Sequence, residues 1–291
     1  MKKILITGGA GFVARNLSEQ LNNEYIVSFP DIKELDLFDS SKVFDYIKGN
    51  KFDVIIHTAT YDAAARFSTK DPAKVLENNL KMFFNITRCE DYFGRMIYFG
   101  SGAEFGRENW IPKMREDYFD RYAPTDQYGF SKYIMTKYAQ SNSNVYNLRL
   151  FGVFGKYDDW RTRFIPNACC YAVMNLPIKI EQNKFYDFLY VGDLAKIVKW
   201  FIDNKPKNNV YNVCTGEVND FKSLAEKIIK ISGKKLDIII KTESLGREYS
   251  GDNTLLMKEL KNFKFSSIDD KIGDLYNWYD LNKNISKKDE L

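Results

Sequence analysis

Tyr128 and Lys132 stand four residues apart in the run Tyr128-Gly129-Phe130-Ser131-Lys132. On a helix that spacing puts a phenol and an ammonium on one face, one turn apart. A phenol titrates near 10 and is a poor proton donor or acceptor at neutral pH. A neighbouring ammonium favours the phenolate and is expected to draw the pKa toward the working range. The pair could then pass a proton to or from a substrate oxygen. Ser101, after the apolar run 95–100, could orient that oxygen. Tyr133 and Lys137 repeat the spacing, and a chain with 19 tyrosines produces such matches by chance. Tyr133 lies about 140° round the helix from Tyr128, so the two cannot share a site. Tyr128, at the helix start, is within reach of a strand-end serine; Tyr133 is expected to pack on the sheet or on a helical partner. The plain alternative for either pair is a solvated helix face.

A second signature lies near the start of the chain. Gly9-x-Gly11-x-x-Ala14, overlaid by Gly8-x-x-Gly11-x-x-Ala14, follows a β-branched apolar run and opens a segment of helical periodicity. Glycines there permit a tight turn and bring bare backbone N–H groups to a pyrophosphate. The helix N-terminus adds partial positive charge, and a small Ala14 allows helix–strand contact. A glycine-rich turn with no ligand is the plain alternative. An acid at the end of the second strand would take the ribose of NAD, and Asp31 stands just after Phe29-Pro30. Lys33 or Arg15 could instead hold the 2′-phosphate of NADP, so both cofactors stay open.

Positioning these groups requires a sheet. Periodicity predicts strands at 2–7, 24–29, 53–57, 95–100 and 145–150. Helices are predicted at 12–21, from a Ser40 or Ser41 cap to 48, at 71–92 behind Asp71-Pro72, and from Thr125 or Asp126 to 139. This alternation argues an α/β fold, a doubly wound parallel sheet of Rossmann type with helices on both faces. After Gly155 the rhythm changes. A charged loop at 158–163 precedes strands at 177–180 and 185–190, a helix at 192–203 and a strand at 210–213. A helix at 221–232, a strand at 236–240 and C-terminal helical segments follow. Residues 1–155 are read as the dinucleotide-binding domain, with 192–214 returning to it. Residues 156–191 and 215–291 are read as a smaller α/β substrate-binding lobe.

Composition narrows the chemistry. The 291 residues are 44% apolar and 28% charged, ordinary for a globular chain with a sizeable core. The 43 basic and 39 acidic residues leave a net charge of +4 with no basic stripe, which argues against a nucleic-acid partner. The four cysteines, Cys89, Cys169, Cys170 and Cys214, lack metal-ligand spacing, and His57 is the one histidine. A zinc centre and a Ser-His-Asp triad are therefore not expected. No apolar run has the length of a membrane span. The stretch 1–13 could pass for a signal peptide, but its glycines and lack of a small-residue cleavage site argue otherwise. The final Lys288-Asp289-Glu290-Leu291 spells an ER-retrieval address, read here as coincidence in a Lys- and Asp-rich tail. A cytoplasmic location is expected, in keeping with reduced cysteines.

Taken together these residues resemble the extended short-chain dehydrogenase/reductase superfamily, in particular its nucleotide-sugar epimerases, dehydratases and reductases. Thr7-Gly8-Gly9-Ala10-Gly11-Phe12-Val13-Ala14 is similar to the family's TGGAGFIG, and His57-Thr58-Ala59 to its HxA segment. Asn79 matches an asparagine of its NN-containing helix. The run from Ser101 to Gly106 resembles SSxxxYG, and Tyr128-xxx-Lys132 resembles YxxxK. The runs from Asp187 to Leu194 and from Tyr211 to Gly216 resemble RDFIYVxDL and YNVGTG. The resemblance spans nearly the whole chain. It implies Ser101, Tyr128 and Lys132 as catalytic residues. It further implies Gly8, Gly11, Phe12, Val13, Asp31, Asp36, Leu37, Thr58 and Ala59, with Tyr128 and Lys132, as contacts of the dinucleotide. Asn79, Gly102, Ala103, Arg163, Lys184 and Arg247 are implied as contacts of a nucleotide-diphosphate sugar. A homodimer through the two long helices is also implied.

Departures from the pattern point within the family. Gly102 and Ala103 occupy the places of the dehydratases' Asp-Glu pair, which disfavours 4,6-dehydration. Ala103 and Arg163 stand where GDP-fucose synthases carry the cysteine and histidine of their epimerisation step. Gly152 and Tyr186 replace a usual asparagine and arginine in segments that hold the sugar diphosphate; Arg163, Lys184 and Arg247 could supply the missing charge. The expected activity is therefore reduction of a 4-keto sugar by NAD(P)H. A 4-epimerase with tightly held NAD and a non-catalytic dinucleotide-binding regulator are the alternatives.

Overall fold

Strand β1 (Lys3–Thr7) buries Ile4, Leu5 and Ile6 completely. Leu5 joins one apolar cluster, while Ile4 and Ile6 join another on the opposite side. Such unbroken burial belongs to a parallel strand covered on both faces. The structure is a computed structural model and describes residues 1–63 and 68–285. After β1 come α1 (Phe12–Leu21), β2 (Ile26–Ser28), α2 (Ser40–Asn50), β3 (Val54–His57) and α3 (Val75–Thr87). Next are β4 (Arg95–Ser101), α4 (Gln127–Gln140), β5 (Val145–Leu150), β6 (Gly152–Phe154) and α5 (Phe164–Val173). Then follow β7 (Ile178–Gln182), β8 (Phe185–Tyr186), β9 (Phe188–Tyr190), α6 (Val191–Asp203) and β10 (Val210–Val213). The chain closes with β11 (Asn219–Asp220), α7 (Phe221–Ser232), β12 (Ile238–Thr242), α8 (Thr254–Glu259) and α9 (Ile268–Leu281).

Six strands form the main sheet in the order β10-β5-β4-β3-β1-β2. Every pairing in it is parallel. The winding reverses between β1 and β3, and ligands of such sheets bind outside the strand C-termini at that reversal. Helices α1 and α6 cover one face, and α2, α3 and α4 cover the other. A separate core joins α5, α7 and α9 to β7. Three two-strand pairings, β7 with β12, β8 with β11 and β6 with β9, complete the second half. Among the described residues, no helix is long and apolar enough to cross a membrane. All four cysteines are buried, and none is in a disulfide.

Some elements differ from the sequence reading. The helix expected over 71–92 is three pieces. Asp71 caps a 3₁₀ turn at Pro72–Lys74, α3 ends at Thr87, and Glu90–Tyr92 is another 3₁₀ turn. The Cys89 N–H bonds back to the Ile86 carbonyl at 2.9 Å. That tightening lets Phe93 bury its ring before the chain joins the sheet at Arg95. Helix α2 is capped by Asp39, whose carboxylate accepts the Ser41 and Lys42 N–H groups, rather than by Ser40 or Ser41. Helix α5 was not expected at all. Pro166 falls in its first turn, where proline costs no intrahelical hydrogen bond.

Candidate active site

A cleft of about 1330 Å³ opens along the C-terminal ends of β1, β3 and β4. That exceeds the roughly 300–1,000 Å³ of a usual small-molecule pocket and gives room for two ligands. Its first wall is the glycine loop. Gly9 donates its N–H to the Pro30 carbonyl at 2.9 Å, and Gly11 donates to the Gly8 carbonyl at 2.8 Å. A Cβ on Gly9 would stand 1.8 Å from the Phe29 carbonyl oxygen, so only glycine lets the loop lie against the end of β2. Helix α1 starts from Gly11 with no side-chain cap and no acid in its first turn. Its leading N–H groups, beside the cleft-lining Phe12 and Val13, are left for an anion. Gly8, Gly11, Asp31, Asp36, Leu37, Thr58 and Ala59 line the same wall. This cradle fits a dinucleotide.

Behind it, Thr58 Oγ1 donates to the Thr7 carbonyl at 2.6 Å, and Thr7 Oγ1 meets His57 Nδ1 at 2.9 Å. Burial, helped by the charge on Lys132, holds the His57 imidazole down to about 3. The lone histidine is therefore a neutral brace between β1 and β3.

Asp126 caps α4 by accepting the Gly129 N–H at 2.8 Å. A Cβ on Gly129 would stand 2.7 Å from the Ala103 carbonyl, so glycine lets the helix start press on the turn that follows β4. Tyr128 thereby lines the cleft with Ser101, whose nearby hydroxyl favours the phenolate. Lys132 is buried and donates to the Phe99 carbonyl at 2.8 Å, with its Nζ 5.8 Å from the centre of the Tyr128 ring. Burial draws the Lys132 ammonium down to about 8, against the favourable carboxylates of Glu104 and Asp62. The phenol behaves contrary to expectation. Burial first, then the Asp62 carboxylate, push Tyr128 above its ordinary value, opposed by Ser101, Arg163 and Arg107. In the free cleft it rests protonated. Tyr133 turns elsewhere: its hydroxyl donates to Asp120, which Lys137 also meets at 2.8 Å. Its ring lies against Phe119 and Phe130 rather than against the sheet.

Ser101 is held from below. Its N–H donates to Glu104 Oε1 at 2.9 Å, its Oγ accepts the Ala103 N–H at 3.2 Å, and the two form a capping box. Glu104 is fully buried and ion-paired to the equally buried Arg149 at 3.2 Å. Arg149 in turn donates to Asn212 Oδ1 on β10 at 2.9 Å.

The opposite wall is aromatic. Trp110 stacks on Tyr249 with ring centres 4.1 Å apart, and Tyr249 Oη lies 3.4 Å from Ser101 Oγ. Burial pushes the Tyr249 phenol well up. Phe164 and Phe221 stack at 4.1 Å beside Tyr186. Arg163 lines this wall, 3.8 Å from Asp62, and Arg107 lines it while reaching Asp126 at 3.3 Å.

Of the candidate substrate residues, Arg163 alone lines the cleft. Asn79 is buried, accepting the Tyr61 N–H at 2.8 Å and donating to its carbonyl at 3.0 Å, so it fixes the loop after β3. Gly102 and Ala103 are buried in the turn behind Ser101. Lys184 lines a separate groove beside β7. Arg247 clamps the backbone carbonyls of Arg107 and Glu108. Trp110, Tyr249, Phe221 and Arg107 were missed. They sit in loops or at helix starts with no periodicity to single them out. The one local hint is Gly251, where a Cβ would stand 2.4 Å from the Phe151 ring.

The chain is 24% identical over 295 residues to an ADP-L-glycero-D-manno-heptose-6-epimerase of Brachyspira hyodysenteriae, covering 89% of this chain and 90% of that protein. Its fold is shared with a GDP-mannoheptose C4 reductase from Campylobacter jejuni solved with NADP bound. That pair has a TM-score of 0.85 at 20% identity, over 96% of this chain and 98% of the other. A UDP-glucose 4-epimerase from Thermotoga maritima with UDP-glucose gives 0.82 at 19% identity, over 97% and 99%. A profile of the NAD dependent epimerase/dehydratase family matches residues 4–214. That match runs from the glycine loop through the Tyr128–Lys132 helix to the last strand of the main sheet, and by it this chain belongs to the NAD-dependent epimerase/dehydratase family.

Proposed function

We propose that the chain is an NAD(P)-dependent oxidoreductase that reduces a 4-keto sugar carried on a nucleoside diphosphate. The observation that carries this reading is the Tyr128 phenol, lining the cleft with Ser101 one turn before buried Lys132, where the bare N-terminus of α1 heads that cleft. The bound nicotinamide supplies the hydride. Ser101 would hydrogen-bond the sugar carbonyl, and Tyr128 would give its proton to the oxygen as negative charge develops there. A phenol that rests protonated is in the right state for that direction. Lys132 would hold the nicotinamide ribose and stabilise the phenolate left behind. Of the candidate dinucleotide contacts, Gly8, Gly11, Phe12, Val13, Asp31, Asp36, Leu37, Thr58 and Ala59 line the glycine-loop wall, and Tyr128 and Lys132 line the cleft beside it. Arg163 and Arg107 offer charge to a diphosphate, and the aromatic wall offers faces to a sugar or base. Glu104, the carboxylate nearest Ser101 in sequence, is committed to Arg149, which disfavours dehydration. The named relatives act on heptoses and hexoses linked to ADP, GDP or UDP, in keeping with this substrate class.

A homodimer fits the outward face of α3, where Phe84 is 36% exposed, together with neighbouring α4. The four buried cysteines, none of them in a disulfide, suit the cytoplasm.

The test is to supply 4-keto and 4-hydroxy nucleotide sugars with each reduced or oxidised cofactor and to follow nicotinamide absorbance and sugar products. Stoichiometric oxidation of NAD(P)H by the 4-keto sugar supports the reductase. Interconversion of 4-hydroxy epimers with no net cofactor turnover identifies the epimerase instead. Turnover by neither route, with dinucleotide bound, leaves the non-catalytic regulator.

A further inference from the structure

We propose that Tyr249 is a positioning residue, whose hydroxyl donates to Ser101 Oγ and so turns the serine hydrogen toward the substrate oxygen. The inference rests on reading Ser101 as the group that orients the sugar carbonyl. A serine hydroxyl carries one hydrogen and two lone pairs, and it rotates to suit its neighbours. One lone pair of Ser101 Oγ takes the Ala103 N–H at 3.2 Å. Tyr249 Oη stands 3.4 Å from the same oxygen, and among the described residues Ser101 Oγ is its one hydrogen-bond partner. If the serine gave its hydrogen to the phenol, the phenol's own hydrogen would have no protein acceptor, in a residue that is 6% exposed. Donation by the tyrosine satisfies both groups. It fills the second lone pair and leaves the serine hydrogen for the cleft, which Ser101 and Tyr128 both line. Burial holds the Tyr249 phenol well above its ordinary value, so it keeps that proton throughout the neutral range. Catalytic hydrogen bonds are often long before substrate arrives and tighten in the complex.

The phenol is held in place from several sides. Its backbone N–H bonds the Phe185 carbonyl at 2.8 Å, and its carbonyl receives the Asp187 N–H at 3.1 Å. Its ring lies on Trp110, with the rings of Phe151 and Tyr186 at 5.1 and 5.2 Å centre to centre. Trp110 is itself tied to the turn behind Ser101, its indole N–H donating to the Gly102 carbonyl at 3.0 Å. A Cβ on Gly102 would stand 2.6 Å from Tyr249 Cε2 and 2.7 Å from Oη. The bare residue next to the serine is therefore what admits the phenol. A ring offered only as an apolar face would need no hydroxyl at that point.

The test is steady-state turnover of the 4-keto or 4-hydroxy nucleotide sugar by Tyr249→Phe, Ser101→Ala and the double variant, beside the parent. Phenylalanine keeps the stack on Trp110, so the sugar KM and the cofactor Kd should stay within about twofold of the parent. The kcat should fall about threefold to tenfold, the worth of one neutral hydrogen bond. In the Ser101→Ala background the same change should move kcat by less than about twofold, because the hydrogen that Tyr249 aims is gone. A merely structural loss would persist there. A loss that multiplies through in that background therefore overturns the proposal. So does a rise in KM with kcat unchanged, or no change in either. A parent chain that turns over no such sugar, or a Ser101→Ala chain with the parent's kcat, overturns the reading of Ser101 and this inference with it.

Discussion

The two walls of the cleft are made in different ways. The glycine-loop wall is backbone. Its working groups are N–H donors at the head of α1, and its shape depends on the missing Cβ of Gly9. The facing wall is side chains: Trp110, Tyr249, Phe221 and Arg163 arrive from four separate places along the chain. A backbone wall can be altered only by changing whether the chain fits. A side-chain wall can change its ligand while the sheet stays the same. Tyr128, Lys132 and Ser101 stand between the two, on elements anchored to the sheet.

Substitutions should separate these regions. Tyr128→Phe removes the proton and keeps the ring, so kcat should fall by about 10²–10⁴ while the Kd for the reduced cofactor stays unchanged; stopped-flow turnover and fluorescence titration read the two halves. An equal loss in both would merge the role of Tyr128 with that of the cofactor wall. Gly9→Ala forces a methyl into the Phe29 carbonyl and should cost about 1–3 kcal/mol of stability, with cofactor affinity falling alongside, measured by urea unfolding. A loss of sugar affinity alone would contradict the division.

A third effect comes from pH. With Lys132 held near 8, kcat/KM should fall up to tenfold for each pH unit above that value, as the ammonium is lost. Stability should move the other way. The folded chain binds fewer protons at Lys132 than the unfolded chain between pH 8 and 10, so this group's contribution rises with pH across that window. Urea midpoints at pH 8, 9 and 10 for the parent and Lys132→Met would check the sign. Smallest is Trp110→Ala, which removes the stack on Tyr249 and should raise the sugar KM about twofold to tenfold with cofactor Kd unchanged.

Legibility follows the same division. The strands of the main sheet, helix α1 and the Tyr128–Lys132 pair can be read from local pattern, because parallel strands and glycine turns leave their marks within a dozen residues. Tyr249 leaves none. It reaches the cleft because its N–H bonds the Phe185 carbonyl at 2.8 Å and its carbonyl receives the Asp187 N–H at 3.1 Å. Those are long-range pairings that no spacing encodes. Lys184 and Arg247 show the opposite error, since a positive charge in a plausible segment says nothing about which way the side chain leaves the backbone. The direction of the Tyr128 shift was misjudged for a related reason. Spacing brought the ammonium to the phenol's face, but burial and Asp62, which lie outside the helix, decide the balance.

Gly9 touches the carbonyl of Phe29, an atom that every amino acid carries, and the Phe29 ring itself is 46% exposed. The demand of this junction therefore falls on one partner. Position 9 must stay bare, while position 29 can take almost any side chain without disturbing the fit. Motifs built on main-chain contact leave a single-letter signature and an anonymous neighbour. A fold organised around such junctions can let most of its letters drift and keep its shape.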